Sequence, residues 1–151
     1  MPTSQEHDKM VKALKEIVVT RLRQQGFQGS FPHFRRFGDE KIDLLTFQFD
    51  PWGGGFVIEI SKCPADGIMT SWGEHIPANK VKAWNMHPSE RLRLQPRVSS
   101  SLADWFRYDK AASHEDIFDE TARAVLPFLE KAEQWWQGSV RKEEMVRDNH
   151  K

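Results

Sequence analysis

Several features are scarce in this chain of 151 residues, and each scarcity excludes a class of protein. It has one cysteine, Cys63, which excludes an intramolecular disulfide and any site built from several thiolates. No apolar run reaches the roughly 18 residues that a membrane-spanning helix requires, and the polar N-terminus does not resemble a signal peptide. These absences predict a soluble cytoplasmic protein with no membrane contact.

The chain also lacks a surplus of either charge. Its 22 Lys and Arg residues balance its 22 Asp and Glu residues. Nucleic-acid-binding proteins usually carry a basic surplus, because neutralising phosphates supplies much of their affinity. The balance therefore disfavours nucleic acid as a partner, although it leaves room for a local basic patch. Hydrophobic residues make up 38% of the chain and charged residues 29%, which is typical of one ordered domain.

The first regular element is an amphipathic helix. Over residues 5–25 apolar side chains recur at three- and four-residue steps, which gives one apolar stripe. Ser4 is a candidate N-terminal cap for this helix, and Gly26 is a typical stop signal. The sequence therefore predicts a helix at the start of the domain.

A second helix is expected near the C-terminus. It is predicted to begin near Ser113, with Asp116 at the capping-box position, and apolar residues keep helical spacing from 118 to 136. Pro127 removes a backbone hydrogen bond and predicts a kink or two abutting helices. The charged residues 138–151 predict a tail or a helix extension.

Between the helices, three runs of strand-forming residues follow one another closely, at 33–37, 41–49 and 55–62. Turns that contain glycine separate them, which is typical of an antiparallel meander. Shorter runs at 91–98 and 105–108 predict a fourth and a fifth strand. Neither longer strand has a wholly polar face, so we expect the helices to cover the sheet partly on both sides.

Residues 63–90 have no clear period and contain several Gly and Pro residues, so they predict a long irregular loop. The elements together predict an α+β fold. Its antiparallel sheet of about four to five strands would pack against the N-terminal helix and the kinked C-terminal helix. The prediction is a single domain over residues 1–137, followed by the charged tail.

Short motifs in this order resemble a known family. They are "GFQGS" (26–30), "HFRRFGDEKIDLLTFQFD" (33–50), "FVIEIS" (56–61), "DWFRYD" (104–109) and "VLPFLEKAEQW" (125–135). Over about residues 10–136 the chain resembles a prokaryotic family known only as domain of unknown function 4304. The resemblance implies a small α+β domain and implies no established activity or catalytic residue. One motif departs from the family, which tends to have an Asn and then a Gly where this chain has Glu59-Ile60-Ser61.

The stretch "DPWGGGFVIEISK" (50–62) has the residue order of a divalent-metal nuclease hairpin: Asp50, a glycine turn, then Glu59 and Lys62 on a strand. Such enzymes need the acid and the lysine on one strand face, so that both reach the metal. Glu59 and Lys62 are three residues apart and must point to opposite faces of a regular strand. We interpret the stretch as a structural hairpin. The alternative is a small metal-dependent nuclease or hydrolase that uses Asp50 and Glu59.

Other signatures of catalysis are weak. No two histidines stand four residues apart, and only Cys63, His75 and His87 are candidates to converge on a metal. The chain has no Gly-x-Ser-x-Gly motif, and "WGGGF" lacks the Lys-Ser/Thr of a phosphate-binding loop. We therefore predict no metal, no cofactor and no catalytic residue.

Arginine and tryptophan provide the candidate binding residues. "FPHFRRF" and "RLRLQPR" would bring several guanidinium groups to one sheet face, where they could bind carboxylates, phosphates or bases. The alternative is that Arg35 or Arg36 pairs with Asp39, Glu40 or Asp43 across the turn. Tryptophans in loops are typical of interaction hot spots, and the alternative is that they cover the core. The sequence thus predicts a non-enzymatic binding module whose partner is another protein. An accessory or toxin-neutralising protein would be one form of such a module. The candidate binding residues are Arg35, Arg36, Gln48, Trp52, Trp72, Trp84, Arg91, Arg93 and Trp105.

Overall fold

The computed structural model describes residues 4–97, 101–109, 116–139, 141 and 145. Within these residues the helices are α1 (Ser4–Leu14), α2 (Thr20–Gln24) and α3 (Ile117–Trp136), and a π-helical segment, Lys15–Val19, joins the first two. The strands are β1 (Gln28–Ser30), β2 (His33–Phe37), β3 (Lys41–Phe49), β4 (Gly55–Pro64), β5 (Ile68–Met69), β6 (His75–Ile76), β7 (Leu92–Leu94) and β8 (Phe106–Arg107).

Six of the strands form one antiparallel sheet in the described part of the chain. Its order is β1-β2-β3-β4, and both β7 and β8 pair with β4 on the side away from β3. Strands β2, β3 and β4 lie where the sequence predicts a meander, and β3 pairs with β4 along its whole length. The α+β prediction is therefore confirmed. Strand β1 and the separate β5–β6 hairpin were not predicted.

Side-chain alternation divides the sheet into two faces. The first, which we call the helix face, carries Phe34, Leu45 and Ile58, which pack in one apolar cluster with residues of α1, α2 and α3. The pattern follows from strand geometry, because every second side chain of a strand points to the same side. The larger part of the core therefore lies between the helices and this face.

The second face has a different cover from the predicted one. Ile42, Leu44 and Cys63 pack against Val81, Ala83 and Met86, which belong to residues 65–90. We call residues 65–90 the covering segment and this side of the sheet the segment face. The prediction that the two main helices cover both sides is wrong, because all three described α-helices contribute to the helix-face cluster, and the segment face is covered by residues 65–90, which include the short 3-10 helix Ala83–Asn85.

The predicted helices are largely observed. The first one spans Ser4 to Gln24 through the π-helical segment and ends before Gly26, whose φ is +96°. The predicted cap at Ser4 concerns a side chain outside the described part, and so does the start near Ser113. Asp116 precedes α3 without a side-chain capping bond, and Pro127 lies inside a single helix. Among the described residues no helix is both long and apolar enough to cross a membrane.

Candidate functional site

The glycine turn between β3 and β4 is built around an arginine. Arg107 of β8 lies 3.1 Å from Oδ2 of Asp50 and 2.6 Å from Oδ2 of Asp109. The hydrogen bond to Asp109 is the main cause that raises the pKa of Arg107. A Cβ atom at Gly54 or Gly55 would lie 2.7 Å from a guanidinium nitrogen. These two glycines therefore leave the space that the arginine occupies, which is a structural reason for the turn.

Glu59 and Lys62 lie on opposite faces of β4, as their spacing predicts. Glu59 accepts hydrogen bonds from Arg91 at 2.9 Å and from Arg93 at 3.4 Å on the segment face. The ammonium of Lys62 lies 4.5 Å from the ring centre of Trp135, which belongs to α3 on the helix face. The paired register with β3 is continuous, so no bulge brings the acid and the lysine together.

Asp50 and Glu59, the two acids of the nuclease alternative, also lie apart. The backbone N–H of Asp50 donates to the carbonyl of Gly55 at 2.9 Å. Glu59 is four residues further along β4 than Gly55, which is roughly 13 Å at the usual rise of a strand. Each of the two carboxylates is paired with arginine. The geometry therefore does not favour the nuclease alternative.

The candidate metal ligands are Cys63, His75 and His87, and each is either buried or close to a local hydrogen-bonding group. Cys63 is buried, and burial is the main cause that raises the pKa of its thiol to about 11. His75 Nε2 lies 3.0 Å from the carbonyl oxygen of Asp66, and His87 Nδ1 lies 2.7 Å from Oγ of Ser89. In the part of the chain that the structure describes, no group of three or more such side chains is placed to hold a metal ion.

The neighbouring arginines of β2 lie on opposite faces of the sheet. Arg36 is on the helix face, where it donates to both carboxylate oxygens of Glu133 at 2.7 and 2.9 Å and to Asp43 at 2.9 Å. Burial alone would lower the pKa of Arg36, but its hydrogen bonds to Glu133 and Asp43 raise it above its usual value. The predicted alternative of an ion pair with Asp43 is confirmed for Arg36, which has a structural role.

Arg35 is on the segment face and has no such partner. Its Nε donates to the carbonyl of Val81, and burial lowers its pKa. Among the described residues, no carboxylate lies at ion-pair distance from Arg35 and no acceptor binds its two terminal nitrogens. Arg35 therefore keeps a guanidinium charge that the described fold does not neutralise.

A row of polar side chains crosses the segment face beside Arg35. His33 Nδ1 lies 3.0 Å from Oγ1 of Thr46, and the rings of His33 and Trp84 are nearly perpendicular, with their centres 5.0 Å apart. Burial and then the positive charges of Lys82 and Arg35 lower the pKa of His33 to about 4, so its imidazole is neutral at pH 7. The paired positions of the row are His33, Thr46, Glu59 and Arg93.

Two further candidate residues lie near this row. Gln48 is half-buried on β3, opposite Val57, and its amide has no hydrogen-bond partner among the described residues. Arg91 shares Glu59 with Arg93, so two guanidinium groups have one carboxylate between them. The segment face therefore carries more positive than negative charge around the row, although the whole chain is neutral.

The candidate tryptophans occupy separate places. Trp52 is 82% exposed in the β3–β4 turn, at the opposite end of β4 from the β5–β6 hairpin that presents Trp72, which is 75% exposed. Trp84, beside His33, is 46% exposed. Trp105 is buried, with its ring centre 5.4 Å from the guanidinium of Arg93, which agrees with the alternative that loop tryptophans cover the interior. The four tryptophans therefore do not share one surface.

A cleft of about 460 Å³ opens between the β5–β6 hairpin and residues 85–90. Ile68 and Met86 contribute apolar surface to its lining, and Met69 and Trp72 are both largely exposed beside it. The β5–β6 hairpin and Met69 were not predicted from the sequence, because the two strands of the hairpin have only two residues each. The usable signal was the turn "TSWGE", in which the N–H of Gly73 donates to the carbonyl of Thr70 at 3.0 Å.

Comparison with known proteins identifies the family. A family model described as domain of unknown function (DUF4304) matches residues 18–138, and the chain belongs to this family. The family named from the sequence motifs is therefore confirmed over residues 18–138. Searches of curated proteins and of solved structures found no match.

Proposed function

We propose that the chain is a non-enzymatic protein-binding module, and that its partner inserts an apolar side chain into the cleft beside the β5–β6 hairpin. One observation carries the proposal: Met69 is 66% exposed and Trp72 is 75% exposed beside this cleft. A cluster of exposed apolar side chains is typical of an interaction surface. Tryptophan in particular is enriched among the residues that dominate binding energy.

The buried carboxylates support a non-enzymatic function. Asp43, Asp50 and Glu59 are all nearly inaccessible to solvent, and each is bound by at least one cationic side chain. A catalytic carboxylate instead has to reach a substrate, a metal or a transferable proton during the reaction. These acids act as counter-ions within the fold under this proposal.

The proposal also concerns the cellular compartment in which the protein acts. The chain has one cysteine and needs no intramolecular disulfide, which agrees with a reducing compartment such as the cytoplasm as the place of action. An accessory or toxin-neutralising role rests on analogy with other small bacterial domains. The partner in each case is another protein.

The test is a binding measurement with matched tryptophan variants. The immobilised chain captures a partner from a lysate of its host, the partner is purified, and its Kd is measured by calorimetry. We expect Trp72→Ala and Met69→Ala to weaken binding by about ten-fold or more. Trp52→Ala is the control, because it removes an equally exposed indole far from the cleft.

Two results would contradict the proposal. One is a partner that binds Trp72→Ala as tightly as the wild type. The other is an equal loss of affinity with Trp52→Ala, which would show that the cleft has no special part in binding.

A further inference from the structure

We propose a second binding site on the segment face, where Arg35, Lys82 and Trp84 surround His33 and bind a nucleotide through its phosphate and its base. The site is distinct from the cleft at the β5–β6 hairpin, so it goes beyond the proposed protein-binding function. The ligand is either a free nucleotide or a short single-stranded nucleic acid, since both present the same two groups.

The cations of this site are not neutralised within the described residues. Arg35 uses its Nε on a backbone carbonyl, and its terminal nitrogens have no described partner. Lys82 is exposed and makes no ion pair with a described carboxylate. Burial and then the charges of Lys82 and Arg35 lower the pKa of His33, so both cations lie close to the same imidazole. Two cations without counter-ions are a suitable place for a phosphate.

The indole of Trp84 supplies the second half of the site. It stays 46% exposed although its ring packs perpendicular to that of His33, with the ring centres 5.0 Å apart. The backbone N–H of Lys82 donates to Oδ1 of Asn85 at 2.7 Å, which fixes the short helical turn that carries both Lys82 and Trp84. Because the indole is already held in place, stacking a base on it costs little side-chain entropy. A simple carboxylate ligand would use the cations and leave this ring without a role.

The polar row extends the site across the sheet. Arg91 and Arg93 share Glu59, which leaves one net positive charge in this group. Arg93 is three strand spacings from His33, which is roughly 14 Å. A single strand whose base stacks on Trp84 is long enough to place another phosphate near this second group. Thr46 and Glu59, which lie between the two ends of the row, are buried, so such a strand would pass over them to reach the exposed Arg93.

The test is fluorescence anisotropy with a labelled hexauridylate and with labelled uridine monophosphate at low salt. We expect the full-length chain to bind at least one of them with a Kd below about 100 µM. Lys82→Gln and Trp84→Ala should each weaken binding by about ten-fold, while Trp84→Phe should retain most of the affinity. For the hexamer, Lys82→Gln should also reduce the slope of log Kd against log salt by about 0.7.

The controls are Lys12→Gln and Trp52→Ala. Lys12 is an exposed lysine of α1, which packs on the helix face, and Trp52 is an exposed indole at the β3–β4 turn. Tighter binding of the hexamer assigns the site to single strands, and equal binding assigns it to free nucleotides. The proposal is overturned if neither ligand binds with a Kd below about 100 µM, or if the site variants lose no more affinity than the controls.

Discussion

Arg35 and Arg36 are neighbours in the chain with the same side chain, yet the fold treats them in opposite ways. Arg36 lies on the helix face, where Asp43 and Glu133 neutralise its charge. Arg35 lies on the segment face, and its described partner is one backbone carbonyl. Strand alternation alone separates the two environments. At these two positions the face of the sheet, and not the residue type, decides whether a carboxylate neutralises the arginine.

Arg107 is a third arginine in this comparison, and like Arg36 it has a structural role. A substitution at Gly55 tests that role and has the largest expected effect. A Cβ at this position would lie 2.7 Å from Nη1 and 3.0 Å from Cζ of Arg107, whose ion pairs prevent it from moving away easily. We expect Gly55→Ala to lower the free energy of unfolding by about 3 kcal/mol, measured by urea denaturation. Arg107→Ala removes the obstacle, so the same glycine substitution should cost less than half as much in that background. An equal cost in both backgrounds would mean that the arginine does not explain the glycine.

Glu59 is an acidic residue on the segment face, and its carboxylate has a structural role there. Its carboxylate is nearly buried and is shared by Arg91 and Arg93. Glu59→Gln leaves these two cations without their counter-ion, so we expect a loss of about 2 kcal/mol in unfolding free energy. Glu90→Gln changes an exposed carboxylate nearby and should shift stability by less than about 0.5 kcal/mol. Similar urea midpoints for the two variants would refute the structural role of Glu59.

His33 gives the smallest expected effect, one that depends on pH. Its pKa is about 4 in the folded chain against 6.5 as the ordinary value. Between these pH values the unfolded chain binds a proton that the folded chain does not, so stability should fall as the pH is lowered from 6.5 to 4. We expect about 1 kcal/mol from this residue after allowing for solvent screening of a half-buried ring.

Urea unfolding at pH 7 and at pH 4.5 measures this contribution. His33→Gln should show a smaller fall in stability than the wild type between the two pH values. An identical fall in both proteins, or a pKa near 6.5 for His33 by nuclear magnetic resonance, would show that the segment face does not exclude the protonated imidazole.

Local patterns were sufficient to predict the centre of the fold. The alternation in "KIDLLTFQF" and "GFVIEISK" placed β3 and β4, and the same alternation placed Glu59 and Lys62 on opposite faces. The cover of the segment face was not predictable in this way. Val81, Ala83 and Met86 are single apolar residues among breakers, and their common role exists only once the chain has folded over the sheet.

The candidate sites show the same limit. Arg35 and Trp84 were both recognised as candidate binding residues, but nothing in the sequence indicated that they lie near one imidazole. Lys82 was missed because an isolated lysine has no local signature. The burial of Trp105 agrees with the alternative that loop tryptophans cover the interior, and its contact with Arg93 depends on the pairing of β7 and β8 with β4. Each of these facts depends on residues far apart in the chain.

The most direct test of the division between the two faces is urea unfolding of Arg35→Gln and Arg36→Gln side by side at pH 7. Arg36→Gln should lower the free energy of unfolding by about 3 kcal/mol, because it leaves Asp43 and Glu133 without their shared cation. Arg35→Gln should lower it by less than about 1 kcal/mol, because it removes one hydrogen bond to a carbonyl. Equal losses, or a larger loss for Arg35→Gln, would contradict the structural role of Arg36 and the view that the fold leaves the charge of Arg35 without a counter-ion.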